Sequence, residues 1–327
     1  MVIILFAGTK LARYGDVIAE KTGLGRIWIG LVLMASITTM PELVTGVSSV
    51  ALVGLPDLAL GTLLGSCLFN LTIIAVLDIL CRSAPILSQV SLRHIALAGM
   101  GILLIAIAAG SIFAGERLSG VTLGWVGVSS IVIMIVYLIG TWQMFRFERK
   151  HQLASLETAL LRYEEASTRL VVLKFALAAI AVIGAGIWLS LIGDEIAVVT
   201  GWGASFVGSL FLAITTSLPE LAVAIAAFRL GAADMAVADI LGANIIDMAV
   251  ILWVDLFYTP GSILAMVSNA HVTTAVLAVV MSLLVILGIR FRQKRKTFII
   301  VSWYTPALIG LYVFGAYALF TSGIGLG

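Results

Sequence analysis

The sequence predicts an all-α polytopic membrane protein, with ten transmembrane helices arranged as two inverted five-helix repeats. Three observations lead there. The first is composition: of 327 residues, 61% are hydrophobic and 11% charged, and the mean hydropathy is +1.18. Soluble domains carry about 25% charged residues, so a soluble fold of this composition could not cover its surface with polar groups. The second is the length of the apolar runs. Runs of about 20 apolar residues span a bilayer as helices, and only helices or closed barrels satisfy the backbone there. These runs are too long and too unalternating for barrel strands. The third is an internal repeat. Residues 7–42 align without a gap to residues 185–220, with 15 identities in 36 positions.

The spans read in order as 1–18, 27–51, 58–80, 94–114 and 121–145, then 170–192, 205–228, 236–257, 272–289 and 298–320. The first looks short beside its partner, which begins near Leu170. An odd number of spans per repeat makes the second half enter the membrane from the opposite side, as in many secondary transporters. The chain therefore divides into a first five-helix repeat (1–145), a linker (146–169) and a second, inverted repeat (170–327). Charge supports the same topology. With the N-terminus outside, the inside segments hold Lys21, Arg26, Arg82, Arg93, Arg229 and the Arg290–Lys296 cluster, and the outside loops hold only Arg117. The positive-inside rule then places both termini outside and the central linker in the cytoplasm of a prokaryotic-type cell. That linker is the one polar segment of any length, and Leu153, Leu156, Leu160 and Leu161 would let it form a short amphipathic helix. It is too short for a folded domain.

The chemistry concentrates in a duplicated stretch. Ala35-Ser36-Ile37-Thr38-Thr39-Met40-Pro41-Glu42 returns as Ala213-Ile214-Thr215-Thr216-Ser217-Leu218-Pro219-Glu220, 178 positions on. An ionisable residue at membrane depth is costly and marks function by default. A proline inside a helix frees the carbonyl four residues back, here those of Ile37 and Thr215. A cation is one partner such a carbonyl can find. Thr38, Thr39, Thr216 and Ser217 add hydroxyls in the same turn, and Glu42 and Glu220 add charge. The match resumes, after a one-residue slip, in the next span of each half: Asp57 pairs with Asp234, Gly65 with Gly242, Asn70 with Asp247 and Asp78 with Asp255. Ser66 and Asn70 stand four apart, on one helix face, as do Ala243 and Asp247. Gly65 and Gly242 would let the helices approach closely. The donors are hard oxygens, suited to calcium, magnesium or sodium rather than to soft metals. No Lys or Arg is predicted at that depth, so a cation or a proton must balance the carboxylates.

Asp78 and Asp255, near span ends, and Asp16 and Asp194, at helix–loop junctions, read as capping or interfacial groups. Asp239, whose counterpart is Thr62, is either structural or part of the pathway wall. His94 and His271 lie at span ends and His151 in the linker, so none suits a metal site. Cys67 and Cys81 read as small apolar residues.

The paired motifs resemble the two alpha-repeats of the cation/calcium exchanger superfamily, whose sodium/calcium exchangers carry Gly-Thr-Ser-Leu-Pro-Glu followed by Gly-Ser-Asn-x-x-Asn or Asp. The resemblance covers residues 23–80 and 201–257. It implies a secondary antiporter that exchanges calcium for sodium by alternating access, with the first and sixth spans sliding over a fixed core. It further implies that Glu42 and Glu220 are the central calcium ligands, shared with sodium. Thr38, Thr39, Thr216 and Ser217 would add oxygens, with the backbones of Ala35 and Ala213. Ser66, Asn70 and Asp247 would complete the sites. The transported calcium and sodium would be the only metals, with no permanently bound cofactor. The chain departs from the family pattern at several positions. Ile37 and Thr215 replace the motif glycine, Thr39 the serine and Met40 the leucine. Cys67 replaces an asparagine, and Ala243 stands where a serine hydroxyl is expected, which removes one sodium ligand.

The alternative is a proton-coupled antiporter for calcium or another cation, because facing carboxylates without water favour holding a proton. An intramembrane enzyme would need a nucleophile and base at membrane depth, and none is present. No basic stripe with interleaved aromatics points to nucleic acid. The partners expected are inorganic cations and the lipid bilayer.

Overall fold

The computed structural model describes residues 2–22, 26–82, 84–115, 121–152, 168–200, 207–298 and 300–323. The apolar runs fold as helices because lipid offers the backbone no other partner. In chain order they are α1 (Val2–Thr22), α2 (Arg26–Ala51), α3 (Pro56–Leu80), α4 (His94–Ala114), α5 (Val128–Gln152) and α6 (Thr168–Thr200). Next comes α7, built from Val207–Leu212, Ala213–Thr216 and Leu218–Arg229, and then α8 (Ala233–Phe257), α9 (Ala270–Phe291) and α10 (Tyr304–Gly323). Single turns at Ile86–Gln89 and Ile263–Met266 precede α4 and α9. Among the described residues, seven helices are long and apolar enough to cross a membrane, or eight if α7, bent by 43° at its break, is one span.

The two motif helices are irregular in matched ways. Ile29–Met34 in α2 and Val207–Leu212 in α7 are π-helical, and Thr39 and Ser217 interrupt the helices just before each Pro-Glu pair. Wide turns of this kind collect at functional sites. Each proline then takes an early position in the helix that follows, where its missing N–H costs least.

Burial ranks the helices. In α3 and α8, 72% of the most apolar window is buried, against 17% in α5 and 28% in α10. So α3 and α8 form the centre, pack on each other, and receive the π segments of α7 and α2 respectively. The outer helices turn large apolar side chains outward, including Leu138, Trp142, Ile180, Trp188, Phe314 and Tyr317. Buried acids with exposed leucines and tryptophans invert the pattern of a water-soluble protein. The α1 helix packs along α6 and α7, so the first and sixth spans lie side by side.

Close approach of α2 to α8 depends on two glycines. A Cβ on Gly30 would lie 2.6 Å from the Met235 carbonyl oxygen, and one on Gly242 would lie 2.9 Å from that of Leu31. Backbone cannot yield as a side chain can, so Gly30→Ala should cost about 1–3 kcal/mol by overpacking. Gly99 has nothing within 4 Å of such a Cβ. Thermal denaturation in detergent should therefore show a lower melting temperature for Gly30→Ala and an unchanged one for Gly99→Ala; equal values would remove the packing argument.

Several helix limits differ from the sequence reading. The expected span 121–145 starts late, because Thr122–Leu123 and Val126–Gly127 form a small antiparallel hairpin pairing Thr122 with Gly127 and Leu123 with Val126. Gly124, at φ +69°, makes its turn, and the Trp125 indole donates to the Leu256 carbonyl at 3.0 Å. Hydropathy cannot separate an apolar hairpin from an apolar helix. The expected span 298–320 begins only at Tyr304, because four residues around its start are tied to Asp78: Lys296 donates to its carbonyl, and Ser302, Tyr304 and Thr305 bond its carboxylate. The α1 helix continues to Thr22, and α6 fills Thr168–Thr200. The polar stretch given to the linker is helical through Gln152, and the amphipathic helix expected around Leu153–Leu161 lies outside the described residues.

Of the two roles expected for the duplicated acids near the span ends, capping is the one the structure shows: both are fully buried and accept the amides that open the turns Ile86–Gln89 and Ile263–Met266. Asp255 accepts from the N–H groups of Gly127 at 2.8 Å and Ile263 at 2.7 Å, and Asp78 accepts from that of Ile86 at 3.1 Å. The histidines are bound reciprocally. His271 Nε2 lies 3.0 Å from Asp57, and His94 Nε2 lies 2.9 Å from Asp234. The Ser268 and Ser91 amides reinforce the two contacts, each at 2.7 Å. Each half thus holds the other's helix start. Asp16 pairs with Arg26 at 2.6 Å.

Candidate cation site

The break in each motif helix sets the site. At Thr39 and Ser217 the chain leaves one short helix and begins another, and Thr38, Thr39, Pro41 and Glu42 of one copy and Thr216, Ser217, Pro219 and Glu220 of the other are buried, while Met40 and Leu218 are half-buried. All eleven residues expected at the site are buried, none more than 1% exposed.

Four of them meet directly, and they come from both motif copies. Glu42 Oε1 accepts from Ser217 Oγ at 3.0 Å and from Ser66 Oγ at 3.4 Å. Ser66 Oγ and Thr216 Oγ1 are 3.5 Å apart. Ser66 therefore turns to the carboxylate rather than back to its own helix. Glu220 lies within electrostatic range of Glu42, Asp239 and Asp247. Asp247 Oδ2 is 3.9 Å from the Cys67 thiol.

What these groups lack is as informative. Both oxygens of Glu220, Glu42 Oε2, Asp247 Oδ1, Thr39 Oγ1 and both amide atoms of Asn70 have no hydrogen-bond partner among the described residues. Buried polar groups are ordinarily bonded, and each exception needs a reason. A buried carboxylate without a counter-charge is costlier still. A hard cation would satisfy all of the acceptors, every one of which is oxygen. Among the described residues no three His, Cys, Asp or Glu side chains converge on one point. The carboxylates are spaced, with hydroxyls and amides between them, so any bound ion takes mixed ligands.

Four expected ligands also bond within their own helices. Thr38 Oγ1 donates to the carbonyls of Met34 at 3.1 Å and Ala35 at 3.3 Å. Thr216 Oγ1 does the same to Leu212 at 2.9 Å. The Ala35 carbonyl also accepts the Thr39 amide at 2.9 Å, and the Ala213 carbonyl the Ser217 amide at 3.1 Å. A cation at either carbonyl must share it with those donors.

Two features go beyond the sequence reading. Cys67, expected as a small apolar residue, is buried in the core where α3 crosses α8, and its thiol also lies 3.9 Å from the Asn244 carbonyl and from Asp247 Oδ2. Its signal was present, since Cys67 and Asn244 are repeat counterparts. Asp239, left open between two roles, is fully buried, and neither carboxylate oxygen has a partner among the described residues.

The match to known proteins runs through both halves of this geometry. The sequence matches the sodium/calcium exchanger protein family over residues 1–143 and 170–324. The chain belongs to that family. This exchanger-family protein is similar to inner membrane protein YrbG of Escherichia coli (strain K12), at 28% identity over 270 residues, 80% of this chain and 79% of YrbG. It is also similar to the uncharacterized membrane protein MJ0091 of Methanocaldococcus jannaschii, at 26% identity over 316 residues, 95% of this chain and 93% of the relative. Its fold matches the solved sodium-calcium exchanger NCX_Mj with a TM-score of 0.69 at 19% identity, covering 97% of this chain and 94% of that one. The exchanger-family protein is thus an integral membrane transporter of cations.

Proposed function

We propose that this protein is a secondary antiporter that exchanges calcium for sodium by alternating access. Its ten spans form two inverted five-helix halves, with both termini outside and the central linker in the cytoplasm. The cations are cargo, and no resident cofactor is required. The observation that carries this reading is the junction of the two motif copies: Ser217 of one donates to Glu42 of the other at 3.0 Å, beside the unpartnered Glu220. Two carboxylates balance one divalent ion, and the same oxygens can hold sodium instead. Shared ligands make occupancy competitive, which obligatory exchange requires. Side-by-side packing of α1 and α6 is consistent with their moving together over a fixed core. The exchanger family and the fold of NCX_Mj support the reading.

Proton coupling is the second reading, and Ala243 favours it: it leaves no hydroxyl where the family pattern expects a sodium ligand. Calcium-45 uptake into proteoliposomes separates the two. Loading with sodium should drive uptake that collapses when the sodium gradient is dissipated. Uptake that ignores sodium but follows an imposed pH gradient would establish the proton-coupled reading, and no flux under either gradient would refute both.

A further inference from the structure

Asp239 stands outside the duplicated pattern. Its repeat counterpart is Thr62, whose hydroxyl is consumed by the Leu58 carbonyl of its own helix at 2.8 Å. Asp239 has no such outlet: it is fully buried, and both its oxygens are unpartnered among the described residues. Its polar neighbour is the Thr38 side chain. The Thr38 hydroxyl is shared with the carbonyls of Met34 at 3.1 Å and Ala35 at 3.3 Å, and being neutral it brings the carboxylate no counter-charge. The π segment of α2 closes over this spot. A Cβ on Gly30 would be 3.1 Å from the Asp239 amide nitrogen, which shows how closely the backbones approach.

The placement is regular. Asp239, Ala243 and Asp247 follow at four-residue steps on one face of α8, and Thr62, Ser66 and Asn70 do so on α3. Eight residues put Asp239 about 12 Å along the axis from Asp247, toward the helix start. Asp239 still lies within electrostatic range of Glu220. A buried carboxylate whose polar neighbour is one shared hydroxyl has no counter-charge among the described residues.

We propose that Asp239 is a cation ligand: with the Thr38 oxygen and Glu220 it forms a further alkali-cation subsite, offset from the Glu42–Ser66–Ser217 centre toward the start of α8. The inference rests on the exchanger reading, since it adds an ion to that pathway. The subsite has no counterpart at Thr62, so it makes the two ends of the pathway unequal. An ion leaving the centre toward the start of α8 meets a second carboxylate, and one leaving the other way does not.

Binding tests this without transport. A cation that binds only the folded state stabilises it by an amount that grows with the logarithm of its concentration, with a slope set by the number of ions bound. Thermal stability of the purified full chain in detergent would be titrated with sodium chloride and, separately, with calcium chloride, for wild type and Asp239→Asn. The expected result is a sodium slope lower by about one ion in Asp239→Asn, with calcium stabilisation retained. The cation-free variant should also melt above the cation-free wild type, because an uncompensated buried charge has gone. Asp239→Thr installs the residue found at position 62 and serves the same comparison if the Asn variant fails to fold. An unchanged sodium slope, or a cation-free variant that melts lower, overturns the subsite and leaves the exchanger reading intact. A wild type stabilised by neither ion overturns both.

Discussion

Glu220→Gln is expected to abolish sodium-driven calcium uptake while leaving the protein folded. Glu220 is fully buried, and neither carboxylate oxygen has a partner among the described residues. Its charge is therefore free to face the ion. Removing one partner of a buried charge pair costs about 3–5 kcal/mol, or roughly two to three decades of affinity at about 1.4 kcal/mol per decade. Without an ion, the same substitution deletes an uncompensated buried charge, so the variant should melt no lower than wild type. Glu42→Gln should also abolish uptake, with less relief of the cation-free protein. Glu42 Oε1 already accepts from Ser217 and Ser66, and a glutamine carbonyl can keep those bonds. The assay is calcium-45 uptake paired with thermal stability of the same preparation. Uptake above about a third of wild type in Glu220→Gln would contradict the assignment.

The second large effect is structural and concerns Asp78. Its carboxylate is fully buried and accepts five donors: the Ile86 and Ser302 amides at 3.1 and 2.9 Å, and the Ser302, Tyr304 and Thr305 hydroxyls at 2.9, 2.8 and 2.7 Å. Lys296 Nζ stands 3.8 Å away. Asp78→Ala strands all of these at once. Each buried donor left unpaired costs about 1–3 kcal/mol, so the loss should reach several kcal/mol and lower the melting temperature by on the order of 10 °C. Fluorescence-detected size exclusion of a tagged protein would show the result as a loss of the monodisperse peak. A variant that stays monodisperse and melts within about 2 °C of wild type would mean the end of α3 does not anchor the start of α10.

The contrast between these acids shows what a sequence can display. Glu42 and Glu220 were legible because duplication marks them, and because a carboxylate beside a helix-breaking proline is too costly in an apolar run to persist without a charge to meet. Ser66, Asn70 and Asp247 followed from four-residue spacing on the neighbouring helices. Asp239 was not resolved: a duplication argument gives no weight to a residue that occurs once, and only burial without a partner sets it apart. The reciprocal bonds of His94 and His271 were invisible because the spacing within one half says nothing about which end of the other half lies beside it. The π turns at Ile29–Met34 and Val207–Leu212 leave no mark in hydropathy, since a wide turn and a regular one bury the same apolar residues. Helix starts at Val128 and Tyr304 were misjudged because polar anchors from distant residues, Leu256 and Asp78, stop the helix where hydropathy continues.

The exchange of partners between Asp57–His271 and Asp234–His94 bears on how the chain is made. When the ribosome has delivered the first 145 residues to the membrane, Asp57 has no imidazole to meet and His94 no carboxylate. Both wait until the second half is threaded in, and Asp57 until residue 271 has been synthesised. Assembly should thus finish in one late, cooperative step rather than half by half. A gene split between residues 153 and 167 should yield two fragments that survive only when expressed together, each acting as the other's chaperone.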